Sequence, residues 1–278
     1  MPTQYDWYRN LLPFNNFLKF RASWGRVGND RLKDENGNDI RFPYLTTLGN
    51  VSSTWGTGLA ENRTGSMNLK WEVSTKTNFG IDARFFDDKV DMTVDFFHTK
   101  TTDIFQRRAN IPDEGGLSNV LPYANIGSMK SWGMDGTLAY THTFNKDMAL
   151  TVRGNFTHAE NEVIYWEQSG VNYPYQSNSG VPYKVQRGLI ALGLFKDEDD
   201  IKSSPKQTFM DNYRPGDIKY KDVNGDGKID KDDVVPLNYS AVPFIQYGFA
   251  LDWNYKAFRV SICLLYTSPS PRDYAASR

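Results

Sequence analysis

The residues with the clearest capacity for chemistry lie between Asp222 and Asp233, in the stretch DVNGDGKIDKDD. Side-chain oxygens recur at Asp222, Asn224 and Asp226, Gly227 follows, and an acid closes the stretch at Asp233. This is the spacing of a calcium loop, D-x-N-x-D-G with an acidic last position. Calcium takes about six to eight oxygens. Asp222, Asn224 and Asp226 would turn theirs to one centre, and Lys228 would offer its carbonyl. Asp230 would bind directly or through water, and Asp233 would close the loop. Gly227 permits the sharp turn. No helix pair flanks the stretch, so it is not a full EF-hand. The expected cofactor is a structural Ca2+ that stiffens a surface loop. The competing reading is a solvated acidic turn.

No other constellation is as specific. His98, His142 and His158 fall in separate segments without ligand spacing, which fits surface histidines better than a metal site. There is no G-x-S-x-G nucleophile motif and no phosphate loop. Acidic runs such as Asp87-Asp88 and Asp197–Asp200 sit in turn-like segments. Glycoside hydrolysis needs two carboxylates facing each other across a substrate, which spacing alone does not supply. The sequence therefore reads as a non-enzyme. Tyr173, Tyr175, Tyr183 and Tyr213 have the rings to stack on sugars, or to pack a long loop against itself.

The segments that must position these residues have a period of two. Phe79, Ile81, Ala83 and Phe85 alternate with Asn78, Gly80, Asp82 and Arg84. After Asp87-Asp88-Lys89, Val90, Met92, Val94 and Phe96 alternate with Asp91, Thr93 and Asp95. The pattern recurs over Gly133–Phe144, Met148–His158, Ile245–Tyr255 and Phe258–Ile262, with an earlier strand over Phe17–Val27. Charges such as Arg84, Arg153 and Asp252 fall on the polar face. Turns within the hairpins are short. The connections Gly28–Thr75, Thr101–Trp132 and Ala159–Phe244 are long and rich in Gly, Pro, Asn, Ser and Asp. Short turns at one end and long loops at the other is the asymmetry of an outer-membrane barrel, with the long loops extracellular. Strands of about ten residues cross a bilayer when tilted. Trp24, Trp71, Trp132, Trp253 and Tyr255 lie near strand ends, where interfacial girdles form.

The fold class expected is all-β: an antiparallel transmembrane β-barrel segment with long extracellular loops. Seven recognisable strands are an odd number, whereas bacterial barrels normally close with an even one. The chain therefore reads as an incomplete part of a larger barrel. Near-equal charge, 32 Lys+Arg against 33 Asp+Glu, argues against nucleic acid as a partner. A mean hydropathy of −0.59 does not argue against a membrane, because alternating faces average out polar. A single cysteine, Cys263, permits no internal disulfide. Met1 to Phe14 lacks the pattern of a signal peptide, so an exported protein would begin upstream.

Four stretches carry a resemblance to the SusC/RagA family of TonB-linked outer-membrane transporters: Phe17–Asp30, Leu69–Asp82, Asn125–Leu138 and Pro215–Asp233. Their order and the hairpins between them extend the likeness over roughly residues 5–262. The resemblance implies a large plugged barrel that imports oligosaccharides or other nutrients. It implies TonB as the energy-delivering partner, a SusD-type surface lipoprotein as a lid, and outer-membrane lipid around the wall. Neither the plug with its TonB-contacting segment nor the family's final strands is recognisable in this sequence. Residues 1–262 are expected to be barrel. Residues 263–278 resemble translated sequencing-adaptor DNA and are expected to be a non-native tail. A secreted β-sandwich that binds glycans with a calcium loop is the alternative. There the apolar faces would meet in a core rather than form one exposed band. A hydrolase on a β scaffold is a third reading.

Overall fold

In the computed structural model of the chain, residues 5, 6, 8, 14–33, 37–54, 56–111, 120–240 and 242–268 are described. The strands in chain order are β1 (Asn15–Asn29), β2 (Thr47–Ser53), β3 (Gly56–Arg63), β4 (Glu72–Phe85), β5 (Val90–Arg107), β6 (Tyr123–Asn145) and β7 (Met148–Tyr165). There follow β8 (Val185–Gly188), β9 (Ala191–Leu194), β10 (Lys206–Gln207), β11 (Ile218–Tyr220), β12 (Lys228–Ile229) and β13 (Val235–Ser240). Two long strands, β14 (Ile245–Tyr255) and β15 (Phe258–Ser268), complete the order. Seven strands form one antiparallel sheet in the order β1-β4-β5-β6-β7-β14-β15. These are the seven segments expected from the alternation.

Short turns join β4 to β5, β6 to β7 and β14 to β15 at one end of the sheet. The residues in them explain their tightness. Phe86, Asp87 and Asp88 all take left-handed backbone, with φ near 57°, 57° and 61°. Aspartate tolerates this better than most residues. Asn16 braces the turn, accepting from the Asp87 N–H at 3.2 Å and donating to its carboxylate at 3.3 Å. Asn145 accepts from the Asp147 N–H at 3.0 Å, an Asx-turn. Every long connection leaves from the opposite end.

Register decides which side chains share a face. One row reads Phe20, Ile81, Val94, Gly136, Phe156 and Tyr247 across six strands, and the next reads Leu18, Ala83, Met92, Leu138, Gly154 and Phe249. No second layer covers these rows among the described residues. Phe79, Phe96, Leu138 and Val260 remain 44–52% exposed. Phe79, Ile81, Phe96, Leu138, Val152, Leu251 and Val260 therefore share one uncovered band, and among the described residues they are not enclosed in a two-sheet core. In water so large an apolar patch would be a liability; against lipid it is the expected surface.

Several boundaries differ from expectation. On the loop side β5 runs to Arg107, β6 starts at Tyr123 and β7 runs to Tyr165, well into segments expected to be loop. Apolar alternation ends there because the wall leaves hydrocarbon, while the backbone ladder continues. A bulge at Asp103, with φ 56°, shifts the register between β5 and β6, and Asn125 donates to its carbonyl at 2.9 Å. The long connections are also structured, with β2 and β3 forming a hairpin and β8 to β13 forming three small pairs. At the other terminus β15 continues six residues past Ile262, pairing Ser268 with Ile245. A ladder made by backbone groups does not require side-chain alternation, so Leu264-Leu265 do not stop it. Residues 269–278 of the expected tail lie outside the described residues.

The band makes a direct prediction. Leu138→Arg, on the outer face near mid-height, is expected to destabilise the folded wall by about 2–4 kcal/mol. Its neighbour Thr137→Arg, on the inner face, is expected to change little. Urea unfolding in lipid vesicles compares the two.

Candidate functional site

The polar face of the sheet gathers charges that are far apart in sequence. Arg21 on β1 reaches two strands. Its guanidinium donates to both Asp82 oxygens at 2.9 and 3.0 Å and to Asp95 at 2.7 Å. Gly80 lies between them in the register, and a Cβ there would collide with Asp95 and come within 2.7 Å of Arg21. Glycine at this point is what lets the arginine cross β4. Asn78 adds a donor to Asp95 at 3.3 Å, and Asp135 sits directly opposite Asp95. A second cluster centres on Asp252, held by Arg153 at 3.0 Å, Arg259 at 3.2 Å and Ser261. Arg84 pairs with Asp91 at 3.2 Å. Partly solvated pairs of this kind contribute only about 0–1 kcal/mol each. Their consequence is a charged, hydrogen-bonding wall on the face away from lipid. The alternation predicts which residues are polar, Asp135 among them; that Arg21 bridges two strands and that Arg259 and Ser261 join Asp252 does not follow from it, because partners follow from register.

Above the sheet, the β7–β14 connection builds a layer in which Phe195, Ile229 and Val235 are buried. Glu167, just beyond β7, anchors this layer to the β5–β6 connection. Its carboxylate accepts from Arg108 Nε at 2.8 Å and from the N–H groups of Ala109 at 3.0 Å and Asn110 at 2.7 Å. Burial opposes its ionisation, but these donors together outweigh burial and hold the carboxyl below the usual range. Beside this anchor lies a cleft of about 590 Å³, lined among others by Lys33, Arg107, Tyr123, Trp166 and Tyr183.

The six residues of the expected calcium loop are placed in this layer. Asp222 accepts from the N–H groups of Gly225 at 2.6 Å and Gly227 at 2.9 Å. Asn224 accepts from Asp226 N–H at 2.9 Å, and Asp226 from Lys228 N–H at 2.8 Å. Gly225 and Gly227 take φ of 79° and 82°, which only glycine adopts cheaply. Asp230 accepts from Asp232 N–H at 2.7 Å. Asp233 is fully buried and accepts from the N–H groups of Val223 at 2.7 Å and Asp230 at 2.9 Å. The loop thus closes on its own backbone donors. The donor set fits a hard cation chemically, since the oxygens of Asp222 and Asp226 each accept one hydrogen bond and keep a second lone pair, whereas Asp233 Oδ1 already accepts from both Val223 and Asn224 N–H. Among the described residues, however, no three acidic, histidine or cysteine side chains converge as a metal cluster.

The other candidates separate. His142 packs edge-on against Phe144, and His158 lies 3.4 Å from Glu160; His98 pairs opposite Trp132. Tyr173 stacks on Tyr175 at 5.4 Å and Tyr213 on Phe195 at 5.4 Å, so these loop aromatics pack the layer itself. Tyr183 lines the cleft.

Residues 4–274 match the family described as TonB dependent receptor-like, beta-barrel. The chain is 29% identical to TonB-dependent receptor P39 of Formosa agariphila, over 96% of this chain and 28% of that one. It is 24% identical to TonB-dependent receptor SusC of Bacteroides thetaiotaomicron, over 89% of this chain and 24% of that one. It thus spans about a quarter of the length of these relatives. Among solved structures it is similar to the RagAB peptide transporter, with a TM-score of 0.65, 22% identity, and 91% of this chain against 27% of that chain covered. An open-open state of the RagAB peptide importer gives a TM-score of 0.67 at 22% identity, covering 91% and 26%. At this identity the structural likeness speaks for the fold.

The Glu167 anchor is pH-dependent with a definite sign. A carboxyl held low in the folded state stabilises above its unfolded pKa, about 4.3, and that contribution is lost as pH falls through the folded value. Limited proteolysis of the loop layer should therefore accelerate on acidification below pH of about 4. Glu167→Gln should give fast cleavage already at neutral pH and flatten the pH dependence.

Proposed function

The chain belongs to the TonB-dependent receptor β-barrel family of the Gram-negative outer membrane, and on that footing we propose that it forms part of the wall and extracellular loop layer of a nutrient importer. The cargo class is oligosaccharides or other nutrients, peptides included. The observation that carries this reading is the division of the sheet into an apolar outer face and a charged inner face built around Arg21, Asp82, Asp95 and Asp252. A wall of this kind suits polar cargo moving through a lumen. Similarity to SusC, and to RagAB, a peptide importer, supports the transport reading. TonB as the energy source and a SusD-type lipoprotein seated over the loop layer complete the proposal.

The test is growth of a deletion strain on a panel of oligosaccharides and oligopeptides as sole nutrient. The expected result is loss of growth on one class, retained growth on its monomers, and the same loss when TonB is disrupted. Unchanged growth on every oligomer would contradict the importer reading.

We also propose that Asp222–Asp233 holds calcium as a structural ion. The sequence spacing and the hard-oxygen donor set support this. Binding to the folded loop alone would stabilise it in proportion to ligand excess. Calcium should slow proteolysis around residues 222–233 relative to chelator, magnesium should not, and Asp222→Ala with Asp226→Ala should remove the effect. Equal cleavage with calcium and with chelator would reject it.

A further inference from the structure

Two features of the outer face have no local explanation. The first is a row of charges. Register aligns Arg26, Thr75, Lys100, Lys130 and Glu162 across β1, β4, β5, β6 and β7. They share the parity of Phe79, Phe96 and Met134, so they point outward. Lys100 and Lys130 stand directly opposite each other, a like-charge pair that destabilises a ladder. Lys130 is offset by Glu162 at 2.9 Å and lies over the Trp132 ring. Lys100 and Arg26 make no ion pair among the described residues. An anion seated on this row would relieve the repulsion.

The second feature is a notch. Gly136 and Gly154 are diagonal neighbours on the outer face, at the centre of an apolar hollow of about 330 Å³ walled by Met92, Val94, Met134, Leu138 and Phe156. Glycine inside a strand costs roughly 0.5–1 kcal/mol relative to alanine. At several other sheet positions crowding explains it: a Cβ on Gly133 would run into the His158 carbonyl, and one on Gly248 into Asn155, although one on Gly25, in the edge strand β1 and on the polar face, would meet nothing within 4 Å. At Gly154 a Cβ would meet nothing nearer than Gly248 O at 3.9 Å. At Gly136 it would meet Thr93 O at 3.3 Å, which a small shift relieves. Neither glycine takes left-handed backbone. The hollow is continuous with the lipid-facing band.

The two features are in line. Lys130 and Gly136 are six residues apart on β6, about 20 Å along the strand. At the usual barrel tilt this is about 15 Å of depth, half of a roughly 30 Å hydrocarbon core. The cationic row lies on the long-loop side, where the outer leaflet's headgroups are. We propose that this face binds one outer-leaflet acyl lipid whose phosphate headgroup carries net negative charge. The phosphate sits on Arg26, Lys100 and Lys130. An acyl chain runs past Trp132 and Met134 and ends in the notch. Charge-assisted contacts supply the anchor, and packing rather than hydrophobic transfer holds the chain, since bulk lipid is equally apolar.

Native mass spectrometry of the complete receptor carrying this segment tests the proposal, with phosphatidylglycerol, lipid A and phosphatidylcholine as added probes. The expected result is one net-anionic phosphate lipid, lipid A or phosphatidylglycerol, retained in preference to zwitterionic phosphatidylcholine after surrounding lipid is stripped. Arg26→Gln with Lys100→Gln should lose it, Lys100→Arg should keep it, and Gly136→Leu with Gly154→Leu should weaken retention several-fold. Heat-modifiable migration on gels confirms that each variant still folds. Selective retention of lipid A identifies a phosphomonoester source, and of phosphatidylglycerol a phosphodiester source; either supports the site. Equal retention of phosphatidylcholine would overturn it, as would retention that none of the variants changes. A doubled mass abolished by the glycine variants would also overturn it, by assigning the notch to a second copy of the protein.

Discussion

A backbone N–H or C=O that faces hydrocarbon has no water to bond with, so each must be paired inside the protein. The seven-stranded ladder meets that demand for its interior strands, and the rest of the structure follows from it. Full pairing fixes register, and register fixes faces, because side chains alternate strictly along each strand. A slip of one residue in β5 would move Asp95 toward lipid and Phe96 toward the lumen. The apolar band, the charged inner wall and the aromatic rows at their borders are therefore one consequence rather than three. Trp24 and Trp132 occupy the same row near the loop end, and Trp253 stacks on Tyr255 near the turn end. By register the Trp253 row crosses β6 at His142, ten residues from Trp132, about 34 Å along the strand and about 26 Å in height at the usual tilt, close to a barrel's apolar belt of roughly 25 Å.

The inner wall shows how register turns scattered charges into an organised surface. Arg21 reaches Asp95 only because Gly80 leaves β4 bare between them. Arg153, Arg259 and Ser261 converge on Asp252 from both neighbouring strands. None of these contacts contributes much stability by itself. They hold fixed dipoles and charges on the face of the sheet away from lipid. Above the wall, Glu167 ties two connections together through Arg108 and backbone donors, giving the loop layer a fixed place on the barrel rim.

Much of this was legible in the sequence, for a physical reason. Segments immersed in lipid must alternate apolar and polar residues, so Phe79–Phe85, Val90–Phe96 and Leu251–Ile262 announce themselves. Where the wall rises above hydrocarbon the outward positions become Thr75, Lys100 and Lys130, the alternation vanishes, and alternation alone ends the strands too early. The loop layer has no legible pattern in the sequence because its strands are two to six residues long, too short to carry a period. The turn motif at Asp222–Asp233 was legible as spacing, but its closure on backbone N–H groups depends on the fold around Asp233. Pairings such as Arg21 with Asp95, or Lys100 opposite Lys130, require strand order and register, which no single strand encodes.

The central claim is that odd and even residues of β6 face different solvents. Spin labels placed singly from Met134 to Tyr140 in the complete receptor, reconstituted in vesicles with Cys263 replaced by serine, measure this directly. The account predicts alternation: labels at residues 134, 136, 138 and 140 collide with oxygen dissolved in lipid, and labels at 135, 137 and 139 with a water-soluble nickel chelate. Uniform accessibility along the strand, or even-numbered labels shielded from both reagents as in a protein core, would contradict it.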